Sequence, residues 1–232
     1  MTLPEDLSAR LDTVIHSSLV LVERFDPGPP VSGPAVVLSS AFNPPTVAHL
    51  DLLDLGREVG GMPAALLTTT NVDKGLYGAS LQHRIGMLLA VCAEQPFAVL
   101  ASNAARFVDQ ASVLRTTFAG ATFDFVMGHD TLIRLFDPKY YFPGQMEAEL
   151  EGFFGHHRVI ATNRGAAGTE DVAGVVASLP ARFQARIETR ELHPHRAEVS
   201  SSAMRANVAA GAPPADLPGP VERYIAEHRL YR

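Results

Sequence analysis

The chain has 232 residues, a net charge of −6, 47% apolar and 19% charged residues, one cysteine and no tryptophan. That length and apolar share suit one α/β domain with a full core and exclude a disordered chain. The acidic balance argues against non-specific nucleic-acid binding, and the single Cys92 excludes an internal disulfide framework and a multi-cysteine zinc site.

The start, M-T-L-P-E-D-L, carries acids and no basic n-region, so no secretory signal is expected. No apolar run approaches the roughly 20 residues that span a bilayer, so a cytoplasmic setting without a membrane partner is expected. The periodicity predicts a helix over 7–22, with Leu11, Ile15, Ser18 and Val22 on one stripe. The run P-G-P-P-V-S-G-P at 27–34 is a linker that neither helix nor central strand tolerates. Residues 1–33 therefore read as an N-terminal helix and linker, and 34–232 as the main domain. There, strands over 36–39, 64–69, 97–101, 122–127, 158–162 and 186–191 alternate with helices. The helices are predicted over 46–59, 81–93, 108–118, 130–136, 170–178, 201–210 and 220–228. Such alternation predicts a Rossmann-like, doubly wound parallel sheet with helices on both faces, its ligands bound outside the strand carboxyl ends. Residues 137–155 interrupt it with D-P-K-Y-Y-F-P and an acidic stretch, and read as an insertion or lid-like loop.

Two segments point to chemistry. The first is S-S-A-F-N-P-P-T-V-A-H, Ser39 to His49, between the apolar run 35–38 and a helical pattern. It is a strand-to-helix turn whose prolines suit the first helical positions. The helix N-terminus offers N–H groups and a positive dipole end to an anion, and Thr46 and His49 at i and i+3 can address the same phosphate. The second is V-S-S-S-A-M-R, Val199 to Arg205. Ser201 and Ser202 at a helix start, with Arg205 one turn on, form a donor cluster for phosphate oxygens. A well-capped helix is the plainer reading.

The wording F-N-P-P-T-x-x-H resembles the signature of the HxGH-type nucleotidyltransferase superfamily, and most closely the nicotinamide or nicotinate mononucleotide adenylyltransferases. Four further segments match in order: S-L-Q-H-R-I-G-M at 80–87, G-H-D at 128–130, N-R-G at 163–165, and V-S-S-S-A-M-R, followed by a closing V-E-R-Y-I-A-E-H-R-L-Y helix. The resemblance implies adenylyl transfer from ATP to a pyridine mononucleotide, with Mg²⁺ carried in by the ATP. It implies that His49 contacts the triphosphate, that Thr46 replaces the motif's first histidine, and that Lys74 reaches the phosphates. It assigns Ser40, Ala41, Phe42, Gly128, Asp130, Asn163, Arg164, Ser201, Ser202 and Arg205 to the nucleotide, and Ser39, Asn43 and Arg84 to the acceptor. Arg84 could equally hold a loop or form a structural ion pair. Asp130 is the candidate for the ribose or a magnesium-linked group. The chain departs from the pattern at Ser39-Ser40, where the family has Gly-Gly and backbone approaches the acceptor.

Other chemistries lack their motifs. The chain has no G-x-x-x-x-G-K-[ST], no G-x-G-x-x-G after a strand and no G-x-S-x-G. His193 and His195 would share a strand face, but no third zinc ligand follows, so they and His156-His157 read as surface histidines. A different acceptor phosphate, CTP as donor, or a nucleotide-binding or hydrolysing protein that has lost transfer are the alternatives. A homo-oligomer is compatible with all of them.

Overall fold

The computed structural model describes residues 4–70, 77–163, 168–212 and 215–232. In chain order the elements are α1 (Glu5–His16), β1 (Val22–Arg24), β2 (Gly33–Ser40), α2 (Val47–Glu58), β3 (Met62–Thr68), α3 (Leu81–Cys92), β4 (Ala98–Ser102), α4 (Phe107–Thr117), β5 (Ala121–Gly128) and α5 (His129–Leu135). A 3-10 turn (Pro138–Tyr140) leads to α6 (Met146–His156), β6 (Val159–Thr162), α7 (Thr169–Ser178), α8 (Ala181–Gln184), β7 (Ile187–Arg190), α9 (Pro194–Glu198), α10 (Ser201–Ala209) and α11 (Gly219–His228).

Among the described residues the strands form one seven-stranded sheet, ordered β1-β4-β3-β2-β5-β6-β7. β2 to β7 pair in parallel; β1 runs antiparallel to β4 at the edge. This is the expected doubly wound architecture. β2 shows why its sequence reads as a continuous apolar run. Successive side chains point to opposite faces, and both faces are covered. Val36 and Leu38 join Leu53 of α2, Ile85 of α3, Met204 of α10 and Val221 of α11 in one core. Ala35 and Val37 join Leu114 of α4, Leu132 of α5, Phe153 of α6 and Val172 of α7 in the other.

Two expectations are corrected. The first helix stops at His16, and residues 17–28 are fastened to the sheet. The Asn103 side-chain amide donates to the carbonyls of Ser17 and Leu19 and accepts from Leu21 N–H, which holds that stretch extended and feeds it into β1. Asp26 accepts from Val99 N–H (2.7 Å), Gly28 N–H and Arg24, fastening the segment to β4. Nor is 137–155 a loop: α6 places Leu150, Phe153 and Phe154 at i, i+3 and i+4, and all three are buried. Phe154 also stacks on Phe136 and lies against Phe183.

Candidate active site

Strand order reverses between β2 and β5, so their carboxyl ends splay and leave a crevice. A cleft of about 340 Å³ fills it, lined by Ser39, Ser40, Ala41, Phe42 and Asn43 after β2 and by Gly128 at the end of β5. The cleft crosses the top of the sheet. On one face it meets His49, Tyr77, Arg84, Ser201, Ser202 and Arg205; on the other, Arg106, Phe107, Gln110, Leu135, Tyr140 and Tyr141. Among the described residues its lining includes four arginines and a histidine but no carboxylate, so the net-acidic chain carries a locally basic cleft.

His49 lies in the first turn of α2, its ring 5.1 Å from that of Phe42. Thr46 N–H donates to Nδ1 at 3.1 Å. A backbone N–H can only donate, so Nδ1 of the neutral ring is the acceptor and Nε2 carries the hydrogen. Nε2 is 3.2 Å from Ser40 Oγ, at the cleft wall. Thr46 takes a different place from the one expected. It is the N-cap of α2, 0% exposed, with Oγ1 2.8 Å from His49 Nδ1. It orients the histidine rather than facing a ligand. The α2 N-terminus is also less open than the motif implied, because Val47 N–H donates to Asp216 O and His49 N–H to Thr46 O.

The corner before α2 is held by side chains from distant elements. The Asn43–Pro44 peptide is cis, and Phe42 has φ +42°. The left-handed backbone at Phe42 costs about 1–3 kcal/mol and persists only where surroundings impose it. Arg84, buried on α3, donates to the carbonyls of Ala79 (2.9 Å), Tyr77 (2.6 Å) and Ala41 (3.3 Å). Its burial lowers the guanidinium's pKa from the usual value. Asn43 donates to Tyr77 O and accepts from Ala79 N–H and Tyr231 Oη–H. Gly78 closes this turn at φ +79°, and a Cβ there would come within 2.6 Å of the Asn43 amide. Arg84 and Asn43, read as acceptor ligands, thus spend their polar groups on the loop at 77–79.

Ser201 and Arg205 divide their donors. Ser201 Oγ donates to Pro44 O (2.8 Å), and Arg205 donates to Asn43 O and to Ser202 Oγ (3.0 Å). The Arg205 guanidinium also lies over the Tyr77 ring, 4.9 Å from its centre. Both residues still line the cleft. Ser200, the N-cap of α10, accepts from Ala203 N–H.

Other expected residues lie elsewhere. The Asp130 side chain is 71% exposed, 3.6 Å from His129 Nδ1 and outside the cleft lining. Asn163 is buried, and its amide exchanges two hydrogen bonds with the Leu192 backbone. Lys74 and Arg164 lie outside the described residues. Ser39 and Ser40 are regular strand residues paired with Leu66 and Leu67, and neither has positive φ, so side chains there strain nothing. His193 and His195 flank and open the short α9 instead of sharing a strand, and His195 Nε2 lies 3.0 Å from Asp216 Oδ1. His157 is buried and donates from Nδ1 to Phe123 O. No three His, Cys, Asp or Glu side chains converge among the described residues. No described helix is long and apolar enough to cross a membrane. Sequence reasoning missed Tyr77, Arg106, Gln110 and Arg134; no motif marks them, and only the fold brings them to the cleft.

The fold is that of nicotinic acid mononucleotide adenylyltransferases. The Plasmodium falciparum enzyme complexed with NaAD superposes with a TM-score of 0.65 at 16% identity, covering 86% of this chain and 97% of that one. The same enzyme complexed with APC gives 0.64 at 15% identity over the same shares. In sequence, the chain is similar to a Schizosaccharomyces pombe protein that carries the name of a nicotinamide mononucleotide adenylyltransferase, 32% identical over 154 residues. The match spans 65% of this chain and 60% of that relative's length. No protein-family profile matches the chain.

Proposed function

We propose that this chain transfers the adenylyl group of MgATP to the 5′-phosphate of a pyridine mononucleotide. An acceptor phosphate oxygen bonds to the α-phosphorus, the bond from that phosphorus to the bridging oxygen breaks, and pyrophosphate leaves with the electron pair. The observation that carries this reading is the held His49 ring, with Nε2–H at the wall of a carboxylate-free cleft at the switch point. Phosphoryl and nucleotidyl transfers ask a protein for alignment and charge stabilisation rather than covalent help. His49 supplies a fixed donor and Thr46 positions it. Arg205, with Ser202, supplies donors for the leaving pyrophosphate at the α10 end. No carboxylate cage lines the cleft among the described residues, and magnesium is read as entering with the triphosphate substrate, held by its phosphates. The names of the sequence relative and of the structural neighbours support the same substrate class.

The test is pyrophosphate release from ATP with and without a panel of acceptor phosphates. Release that requires nicotinamide or nicotinate mononucleotide is expected. Equal release without any acceptor would make the protein a hydrolase, and release only with another phosphate or with CTP would reassign it within the fold.

A further inference from the structure

One buried polar atom in the cleft has no hydrogen-bond partner among the described residues. Gln110 lies in the first turn of α4, is 1% exposed and lines the end of the cleft away from His49. Its Nε2 donates to Ala104 O at 3.2 Å. That bond fixes the amide, because a flipped amide would set oxygen against oxygen. Oε1 is then left buried without a hydrogen-bond donor among the described residues. Native proteins rarely leave such an acceptor unanswered, and one facing a ligand cleft is commonly answered by the ligand.

The surroundings say what kind of ligand group arrives. Phe107, Leu135 and Tyr141 give this end flat apolar and aromatic walls suited to a heteroaromatic ring. Arg106 is not an anion receptor: Asp109 holds its guanidinium with two bonds of 2.8 Å, and Glu149 with a third. Arg134 also lines this end, from an exposed position on α5. Direction follows from the chemistry. In an in-line displacement the nucleophile enters opposite the leaving group. With pyrophosphate toward Arg205, the acceptor occupies the opposite end, beside Gln110.

We propose that Gln110 is a specificity-determining residue that selects the amide form of the pyridine mononucleotide over the acid form. This rests on the transfer reading above. A carboxamide N–H completes Gln110 Oε1, whereas a carboxylate brings only lone pairs to it and leaves that acceptor unanswered.

The test is steady-state transfer with MgATP and each of the two mononucleotides. Wild-type protein should favour nicotinamide mononucleotide over nicotinate mononucleotide in kcat/KM by about 10²-fold. Gln110→Leu should bring the ratio toward one, mainly by raising KM for the amide, while KM for ATP holds. The wild-type ratio requires no variant, so a misfolded substitution cannot shelter the idea. Equal or better use of the acid by wild-type protein overturns it. A Gln110→Leu change confined to KM for ATP places the adenine at this end and also overturns it. Turnover of the acid alone leaves adenylyl transfer standing and removes only the selectivity; turnover of neither removes both.

Discussion

At the residue scale, the site depends on one oriented ring. His49 has its Nδ1 occupied by Thr46 N–H, so Nε2–H is directed at the cleft without a search among tautomers. His49→Ala should therefore lower transfer by roughly 10²–10³ with the fold retained, the usual loss for one preorganised donor. Single-turnover kinetics beside a circular dichroism spectrum would check it, and near-wild-type turnover in a folded variant would remove the residue from the mechanism. His49 was legible in the sequence because strand, proline corner and helix follow one another within a dozen residues. Thr46 was legible as a participant but not in its role. Spacing puts it one turn from His49, while its place as N-cap, buried against the ring, shows only in the fold. Arg84 is expected to orient the acceptor, hold the loop above it or form an ion pair, and Asn43 to meet the acceptor; their buried hydrogen bonds hold the loop at 77–79. Gln110 carries no motif; an unanswered acceptor exists only once the neighbours are known.

At the element scale, the sheet strands and most helices were legible because both periods are plain: near-continuous apolar runs for covered parallel strands, and spaced stripes for helices. The failures have specific causes. The N-terminal helix was read too long because Asn103, more than 80 residues away, captures the backbone at 17–21. The 137–155 segment reads as an insertion or lid-like loop because D-P-K-Y-Y-F-P masks the stripe that follows. α6 makes that segment structural: Leu150 is 1% exposed and Phe153 and Phe154 pack with Phe125 and Phe183. Leu150→Ala should cost about 2–5 kcal/mol in urea unfolding, the range for a large-to-small change in a closed core. A free lid would show almost no loss, so a cost under about 0.5 kcal/mol would return the segment to the loop reading.

At the scale of the whole molecule, stability should fall on mild acidification. Burial lowers the pKa of His157 below the ordinary imidazole value of 6.5. The unfolded chain then binds the proton more readily, so stability is fully present above about pH 6.5 and is lost as pH falls below it. Burial pushes Asp26 up, but Arg24 and the N–H groups of Val99 and Gly28 outweigh it, leaving the carboxyl below 3.8. Its contribution is present above that value and disappears at still lower pH. Urea midpoints taken from pH 8 to 3 should show the first decline, and His157→Gln, which keeps a donor for Phe123 O, should flatten it. An unchanged slope in that variant would assign the decline to another group. The corner at Asn43 has a further consequence. Arg205 and Tyr231 reach it across 162 and 188 residues of chain, so its contacts close very long loops. Loops of that span are entropically expensive to close before the sheet exists, so the corner is expected to assemble late in folding and to open early. Amide hydrogen exchange should then be faster around residues 42–46 than in β3 or β4, and nucleotide binding should slow it most there, since a ligand at that corner adds its free energy to the least protected part of the chain.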